Sequence, residues 1–267
     1  MGRTFSFDAA VGDRLVAGLG SGPFSQLSGA GASHDAIGSS QLPVMASPKA
    51  FPDLITLLKT RYFPPPELRS IYALYSRMRR AEGFSLEVEE FGARSHGDSN
   101  RLTTLARLTR RAATPPLKGT YLYLFVRALK PQRLLELGTH LGIGTLYLHA
   151  AVPTAEIHTI EAAETLAIYA QRHFALLGAS IKRHIGRFAD VLPTLSGPWD
   201  LIYIDGDHRG SALEAYIAQL YPALRDGGWF VCDDIYWSWD MWHSWKKVRQ
   251  GGWRRTYAFY PFGFLQK

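Results

Sequence analysis

Short apolar runs alternate with stretches of helical length from Pro131 onward. Five runs have the length and composition of strands, and each precedes a segment long enough for a helix: RLLELG, EIHTIEA, IKRHIG, DLIYIDG and WFVCDD. This alternation predicts a parallel sheet with helices on both faces. The last segment, GGWRRTYAFYPFGFLQK, has two apolar runs with only Pro261 and its neighbours between them. That spacing is too short for a crossover helix, so we expect an antiparallel hairpin at the sheet edge.

The part of the chain before Pro131 has a different pattern. Residues 1–50 are rich in Gly, Ser and Ala without a sustained period, which predicts a mobile tail. The apolar periodicity of residues 51–130 predicts a helical cap, with helices around residues 98–111 and 118–129. An amphipathic helix precedes these two. Its apolar positions recur at i, i+3, i+4 and i+7 and are Ile71, Leu74, Tyr75 and Met78, and a basic face lies opposite them. Residues 131–267 then form the α/β core.

Composition narrows the class of protein. The chain has 267 residues, is 46% hydrophobic and carries a formal charge of +7, but its basic residues are spread over several segments, which disfavours a nucleic-acid partner. The single cysteine, Cys232, forms no intramolecular disulfide and suits a reducing compartment, where we expect it to pack as a small hydrophobe. No stretch approaches the ~18 apolar residues of a membrane span, and no secretory signal is evident. We therefore expect a cytoplasmic protein without a membrane partner.

A glycine-rich loop follows the first strand of the core. Its residues Gly138, Gly142 and Gly144 have the spacing G-x-x-x-G-x-G, whereas the dinucleotide fingerprint is G-x-G-x-x-G. Glu136, two residues before the first glycine, would repel a pyrophosphate. A ligand with an ammonium group and no phosphate suits this carboxylate better, and S-adenosylmethionine is such a ligand. We expect the loop to bind it through Glu136 and the following residues: Gly138, Thr139, Gly142, Gly144 and Thr145.

An acidic residue ends the second strand. Glu161 lies 23 positions beyond Gly138 (161 minus 138), where a carboxylate accepts hydrogen bonds from a ribose diol in nucleotide-binding sheets. Loop and acid together favour an adenosine cofactor over the plainer interpretation of a tight turn and an exposed glutamate.

These motifs resemble the class I S-adenosylmethionine-dependent methyltransferases over roughly residues 83–267. The matching pieces are VEEFGARS, LELGTHLGIGT, GRFADVLPTL, YIDGDH, DDIYWSWDMWHSW and FYPFGFLQK, and they look most like an uncharacterised bacterial group. The resemblance implies a Rossmann-like, seven-stranded, mostly parallel sheet with the C-terminal hairpin predicted above. It further implies that Arg187 and Phe188 lie beside the adenine, and that Lys118 lies near the methionyl end of the cofactor.

Three carboxylates follow the fourth and fifth strands. Asp205 ends one and Asp233 and Asp234 end the other, so their side chains meet if these strands are neighbours ~5 Å apart. Carboxylates this close to one another cannot all stay ionised unless a cation binds between them; otherwise the pKa of at least one of them rises. A site made of carboxylate oxygens favours Mg²⁺, with Mn²⁺ or Ca²⁺ as alternatives. The metal-dependent catechol and caffeoyl-CoA type O-methyltransferases carry an Asp at the first position and Asp-Asn-x-x-Trp at the second, which resembles Asp233 to Trp237. Here Asp234 replaces the Asn.

A second interpretation needs no metal: Asp205 positions the cofactor or substrate, and Asp233 caps the helix that begins near Ser238. His208, three residues beyond Asp205, holds the place where the catechol-type enzymes have a lysine base. It, or Asp207, can take the proton of an acceptor hydroxyl, unless it is only a helix-cap or surface histidine.

An aromatic cluster follows the acids. Met241, Trp245 and Val248 share a helical stripe and are expected in the core. Trp237 and Trp239 either form an apolar wall of the acceptor pocket or are ordinary surface residues.

The sequence therefore predicts an S-adenosylmethionine-dependent methyltransferase that acts on a small-molecule hydroxyl with divalent metal assistance. A nucleic-acid or amine N-methyltransferase is the alternative enzyme, but IDGDH differs from the Asn/Asp-Pro-Pro-aromatic pattern common in that class. A cofactor-binding module without turnover is the third alternative.

Overall fold

A computed structural model describes residues 65–91 and 99–267. The elements, in chain order, are α1 Arg69–Met78, β1 Ser85–Glu90, β2 Ser99–Thr104, α2 Leu105–Ala112, α3 Pro116–Leu129, β3 Arg133–Leu137, α4 Ile143–Ala151, β4 Glu156–Glu161, α5 Glu164–Leu176, β5 Lys182–Ile185, α6 Phe188–Val191, β6 Trp199–Ile204, α7 Gly210–Leu220, β7 Leu224–Cys232, α8 Trp239–Val248, β8 Arg255–Phe259 and β9 Phe262–Gln266. The predicted tail, residues 1–50, lies outside the described residues.

The seven-stranded sheet has the order β5-β4-β3-β6-β7-β9-β8. Strands β3 to β7 pair in parallel, whereas β9 is antiparallel to both β7 and β8. The predicted parallel core and C-terminal hairpin are therefore confirmed. The central strands are apolar along most of their length because helices cover both faces of a parallel sheet.

The region before the sheet departs from the predicted helical cap. Helix α1 is confirmed, with Ile71, Leu74, Tyr75 and Met78 all buried. The helix predicted around residues 98–111 is wrong in its first half, because Ser99–Thr104 pairs with β1 in an antiparallel hairpin. Helix α2 begins only after Thr104, whose hydroxyl accepts a hydrogen bond from the Arg107 N–H at 3.2 Å. Pairing with a distant strand thus overrides the local helical pattern.

The main core lies between the sheet and helices α7 and α8. It joins strand residues such as Ile202 and Phe230 to Met241 and Trp245 of α8, which confirms that the helical stripe is core. Cys232 is fully buried among these apolar side chains, as a small hydrophobe is expected to be. No helix in the described ranges combines the length and apolar character that crossing a membrane requires.

The order of the strands places the predicted motifs side by side. Strands β4 and β5 lie on one side of β3, whereas β6 and β7, which follow them in the chain, lie on the other side, so the switch point lies between β3 and β6. Gly138, just after β3, has φ 101°, and a Cβ there would lie 2.2 Å from the carbonyl oxygen of Asp205. Glycine is required for this close approach, which joins the cofactor loop to the first acid.

Candidate active site

A cavity of about 1090 Å³ opens at the carboxyl ends of the central strands. This volume exceeds the upper end of the usual range for small-molecule sites, so it has room for two ligands. It is lined by predicted site residues from six segments: Lys118, Gly138, Thr139, Gly144, Glu161, Arg187, Phe188, Asp205, Asp207, His208 and Asp234. The remaining predicted residues do not line the cavity. They are Glu136, Gly142, Thr145 and Asp233.

Glu161 at the tip of β4 is held by backbone groups. Its two carboxylate oxygens accept hydrogen bonds from the N–H of His140, at 2.7 Å, and of Ala163, at 3.0 Å. Burial raises the pKa of this carboxyl, and the backbone donors oppose that rise. The arrangement fixes the carboxylate at the cavity wall, where it is in place to accept ribose hydroxyls.

His140 is a lining residue that the sequence reasoning missed, although it lies inside the glycine loop. Its Nδ1 is buried and has no hydrogen-bond partner among the described residues, and burial lowers the pKa of its imidazole to about 4. A neutral, buried and unpaired ring nitrogen at a cavity wall costs free energy unless a ligand or water satisfies it. Because Nδ1 is closed to the cavity, His140 shapes the wall beside Glu161 with the rest of its ring.

Phe188 and Arg187 form an aromatic corner of the cavity. The Phe188 ring packs edge-on against Tyr216, with centroids 5.4 Å apart, and the Arg187 guanidinium lies 5.2 Å from the Phe91 ring centroid. A Cβ on Gly206 would come within 2.8 Å of the Phe188 ring. The flat surfaces suit a purine ring, as the family resemblance implies.

Glu136 lies beneath the glycine loop rather than in the cavity. It is 1% exposed, and its Oε2 accepts hydrogen bonds from the hydroxyls of Thr145 and Thr159. Burial raises the pKa of Glu136 to about 7. Thr145 thus holds the acid, and the direct contact of either residue with a cofactor stays a prediction.

The second of the three predicted acids, Asp233, is buried and already paired. Its Oδ2 lies 2.8 Å from the Lys118 Nζ and accepts a hydrogen bond from the Tyr203 hydroxyl, while its Oδ1 accepts the Asp234 N–H at 2.7 Å. Burial raises its pKa. The alternative in which Asp233 caps the following helix is wrong, since the Ser238 hydroxyl caps α8 by accepting the Met241 N–H at 3.1 Å.

The other two acids and the imidazole face the cavity together. Asp205, His208 and Asp234 each offer one potential ligand atom, and these three atoms lie within 4.8 Å of one another. His208 Nε2 is 4.0 Å from Asp234 Oδ2. Burial raises the pKa of Asp205 to about 6, and the Lys118 ammonium opposes that rise.

Asp207 is engaged by its neighbour. Its carboxylate accepts hydrogen bonds from the Arg209 Nε, at 2.6 Å, and Nη2, at 2.5 Å. A bidentate pair of this kind fixes both oxygens, so His208 is the better placed of the two predicted bases.

The two tryptophans near the acids differ in position. Trp237 lines the cavity, and its ring lies against His208 with centroids 5.7 Å apart. Trp239 is 77% exposed at the start of α8 and does not line the cavity. Of the two, only Trp237 is placed to contact an acceptor.

Comparison with known proteins agrees with this geometry. Residues 135–235, from β3 to just beyond β7, match a family described as a methyltransferase domain. The resemblance to class I S-adenosylmethionine-dependent methyltransferases is thereby confirmed.

Two curated relatives are similar to the domain and its surroundings. O-methyltransferase hkm8 of Aspergillus hancockii is 32% identical over 132 residues, which cover 48% of this chain and 52% of that protein. A catechol O-methyltransferase of Mycobacterium tuberculosis is 32% identical over 129 residues, covering 47% of this chain and 58% of that protein. The chain thus spans about half the length of the curated relatives it matches.

A solved structure shows the same fold. The O-methyltransferase from Bacillus cereus in complex with SAH aligns with a TM-score of 0.55 and 17% identity, over 80% of this chain and 96% of that chain. The Rossmann-like methyltransferase fold predicted from the sequence is confirmed.

Proposed function

We propose that this chain is an S-adenosylmethionine-dependent O-methyltransferase that methylates a hydroxyl group of a small molecule. One observation carries the proposal: a single cavity joins the Glu161 carboxylate to the group formed by Asp205, His208 and Asp234. The first is suited to a ribose and the second to a reacting hydroxyl. The matched methyltransferase domain and the O-methyltransferase relatives support it.

In the proposed complex the cofactor occupies the side of the cavity next to β4. Glu161 accepts the ribose hydroxyls, Phe188 and Arg187 contact the adenine, and the loop from Gly138 to Gly144 allows close approach to the backbone. When bound, S-adenosylmethionine supplies an electrophilic methyl group on a sulfonium sulfur.

The acceptor occupies the side next to β6 and β7. Its oxygen must lie in line with the bond from sulfur to the methyl group, so the wall that orients it matters as much as the base. Trp237 provides an apolar surface, and His208 takes the hydroxyl proton as the oxygen becomes nucleophilic. The proton ends on the His208 imidazole, which lies 4.0 Å from the Asp234 carboxylate.

The donor set at this side fits a divalent cation. When ionised, Asp205, Asp233 and Asp234 carry three negative charges, and the Lys118 ammonium balances one of them. Carboxylate oxygens suit Mg²⁺, Mn²⁺ or Ca²⁺. When bound, such an ion lowers the pKa of an acceptor hydroxyl. His208 is assigned to proton transfer because hard ions prefer oxygen ligands.

Binding of labelled cofactor and turnover test the proposal. We expect the purified chain to bind S-adenosylmethionine and S-adenosylhomocysteine in calorimetry and to bind NAD much more weakly, because of the loop spacing and Glu136. We expect label transfer to at least one member of a panel of hydroxyl compounds that begins with catechols, the substrates named for one relative. Binding of NAD in preference to both would contradict the proposal, as would transfer to amines alone.

A further inference from the structure

The three acids at the tips of β6 and β7 differ in how many oxygens the protein occupies. Both oxygens of Asp233 are engaged, Oδ1 by the Asp234 N–H and Oδ2 by Lys118 and Tyr203. Its side chain is fully buried. Each oxygen of Asp233 therefore has a protein partner, and Asp233 is not among the residues that line the cavity.

Asp205 and Asp234 each meet these same donors with one oxygen. Tyr203 donates to Oδ2 of Asp205 at 3.0 Å, and Lys118 donates to Oδ1 of Asp234 at 3.2 Å. The second oxygen of each carboxylate is not used in these bonds, and both residues line the cavity. Lys118 and Tyr203 thus divide the acids into one that is held by the protein and two that are open to a ligand.

We propose that Lys118 is a built-in counter-cation that withholds Asp233 from the metal, so that a divalent ion is held by Asp205 and Asp234 without it. The inference rests on the proposed function, and it changes the ligand set that the family pattern implies. Two carboxylates are enough for Mg²⁺ or Mn²⁺, which commonly take their other ligands from water and substrate oxygens. The ion is then held weakly by the protein and depends on the acceptor to complete its ligand set.

The positive charge of Lys118 has a testable effect on metal affinity. An ammonium beside the two open carboxylates repels a divalent ion, and its removal also releases one Asp233 oxygen as a further ligand. Loss of the lysine charge should therefore strengthen metal binding. A lysine that serves only to stabilise the fold has no such effect.

The experiment is a Mn²⁺ titration of the full chain, with free Mn²⁺ followed by electron paramagnetic resonance. Lys118→Met should bind Mn²⁺ at least about tenfold more tightly than the unmodified chain, since it removes a positive charge and frees a ligand. Asp205→Asn and Asp234→Asn should each bind at least about tenfold more weakly. The control Lys182→Met removes another paired lysine, on β5 and outside the cavity lining, and should change nothing.

The double variant Lys118→Met with Asp233→Asn decides the ligand set, because it removes both partners and leaves the net charge unchanged. If neither residue is a ligand, its Mn²⁺ affinity should stay within about threefold of the unmodified chain, since a buried pair removed together leaves no uncompensated charge. A loss of tenfold or more would make Asp233 a ligand and overturn the proposal. Absence of Mn²⁺ binding at millimolar concentration in the unmodified chain, together with binding in Lys118→Met, would also overturn it, because Lys118 would then replace the ion altogether.

Cofactor binding, measured by calorimetry on the same variants, separates this inference from the proposed function. The Asp205→Asn and Asp234→Asn variants should still bind S-adenosylmethionine. Their binding free energy should differ from that of the unmodified chain by no more than about the net contribution of one hydrogen bond. Thermal unfolding shows whether each variant is folded. Loss of cofactor binding by the unmodified chain would contradict the proposed function and leave the Mn²⁺ comparison standing by itself.

Discussion

The two sides of the cavity are built in different ways. At the tips of β3 and β4, the Glu161 carboxylate is held by backbone N–H groups, one of them only 21 positions away at His140. At the tips of β6 and β7, side chains hold side chains, and Lys118 reaches Asp234 across 116 positions. The first region is shaped by local chain geometry, and the second depends on how distant elements pack.

This difference bears on what each region can tolerate. The backbone donors on the cofactor side do not depend on the side chains of the residues that carry them, although the loop requires glycine at Gly138 for its close approach to Asp205. Ion pairs and buried carboxylates depend on each partner, and loss of one partner leaves an unpaired buried group. Single substitutions should therefore alter binding on the first side, and charge, protonation and turnover on the second.

The largest effect is expected on the side of the acids. His208→Ala should lower kcat by ~10²-fold or more, the usual contribution of a general base, because the hydroxyl proton loses its acceptor. Cofactor affinity and Mn²⁺ affinity should be kept, and the remaining rate should rise with pH as the acceptor hydroxyl ionises. Steady-state kinetics over a pH series, with calorimetry on the same samples, gives the measurement.

The matched control for this variant is His243→Ala, which removes an exposed histidine of α8 that does not line the cavity. We expect its kcat to equal that of the unmodified chain. If His208→Ala instead kept full turnover, the proton would have another acceptor and the catalytic role of His208 would be wrong.

The next effect concerns the acid beneath the glycine loop. Because burial raises the pKa of Glu136 from 4.5 to about 7, its stabilising contribution is complete below about pH 4.5 and is lost as pH rises through about 7. The loss amounts to about 3 kcal/mol of unfolding free energy at most. Glu136→Gln keeps an oxygen that accepts the hydroxyls of Thr145 and Thr159. In the absence of cofactor, this variant should therefore be more stable than the unmodified chain at pH 8.

Denaturant unfolding at pH 5 and pH 8 checks this expectation. The advantage of Glu136→Gln should be larger at pH 8 than at pH 5, and its S-adenosylmethionine affinity should be lower if the carboxylate attracts the ammonium. Equal stability of the two proteins at pH 8 would mean that Glu136 ionises in the fold without cost.

The smallest of the three effects lies on the cofactor side. Glu161→Ala should weaken S-adenosylmethionine binding by roughly 1 to 3 kcal/mol, the scale of a lost hydrogen-bond pair to a hydroxylated ligand. Calorimetry measures the change, and Glu164→Ala, an exposed glutamate at the start of α5, serves as the control. An unchanged affinity in Glu161→Ala would place the ribose elsewhere in the cavity.

Much of the fold could be read from the order of apolar runs. All five predicted strands and the final hairpin are present, because each is specified by its own apolar pattern and by the length of the connection that follows. The hairpin of β1 and β2 was missed, since Ser99–Thr104 becomes a strand only by pairing with Ser85–Glu90. A strand of that kind has no local signal strong enough to exceed the adjacent helical pattern.

The sequence by itself determined the glycine loop and the acid that ends β4, because each follows from the period and order of its own segment. It placed acids at the ends of β6 and β7, and the sheet order then made these two strands neighbours. Only the tertiary structure decided which charges are paired. Lys118 engages both Asp233 and Asp234 from a distant helix. The physical reason is that an ion pair forms between groups that packing brings within a few ångströms of each other. The separation of Lys118 and Asp233 in the sequence gives no indication that they pair.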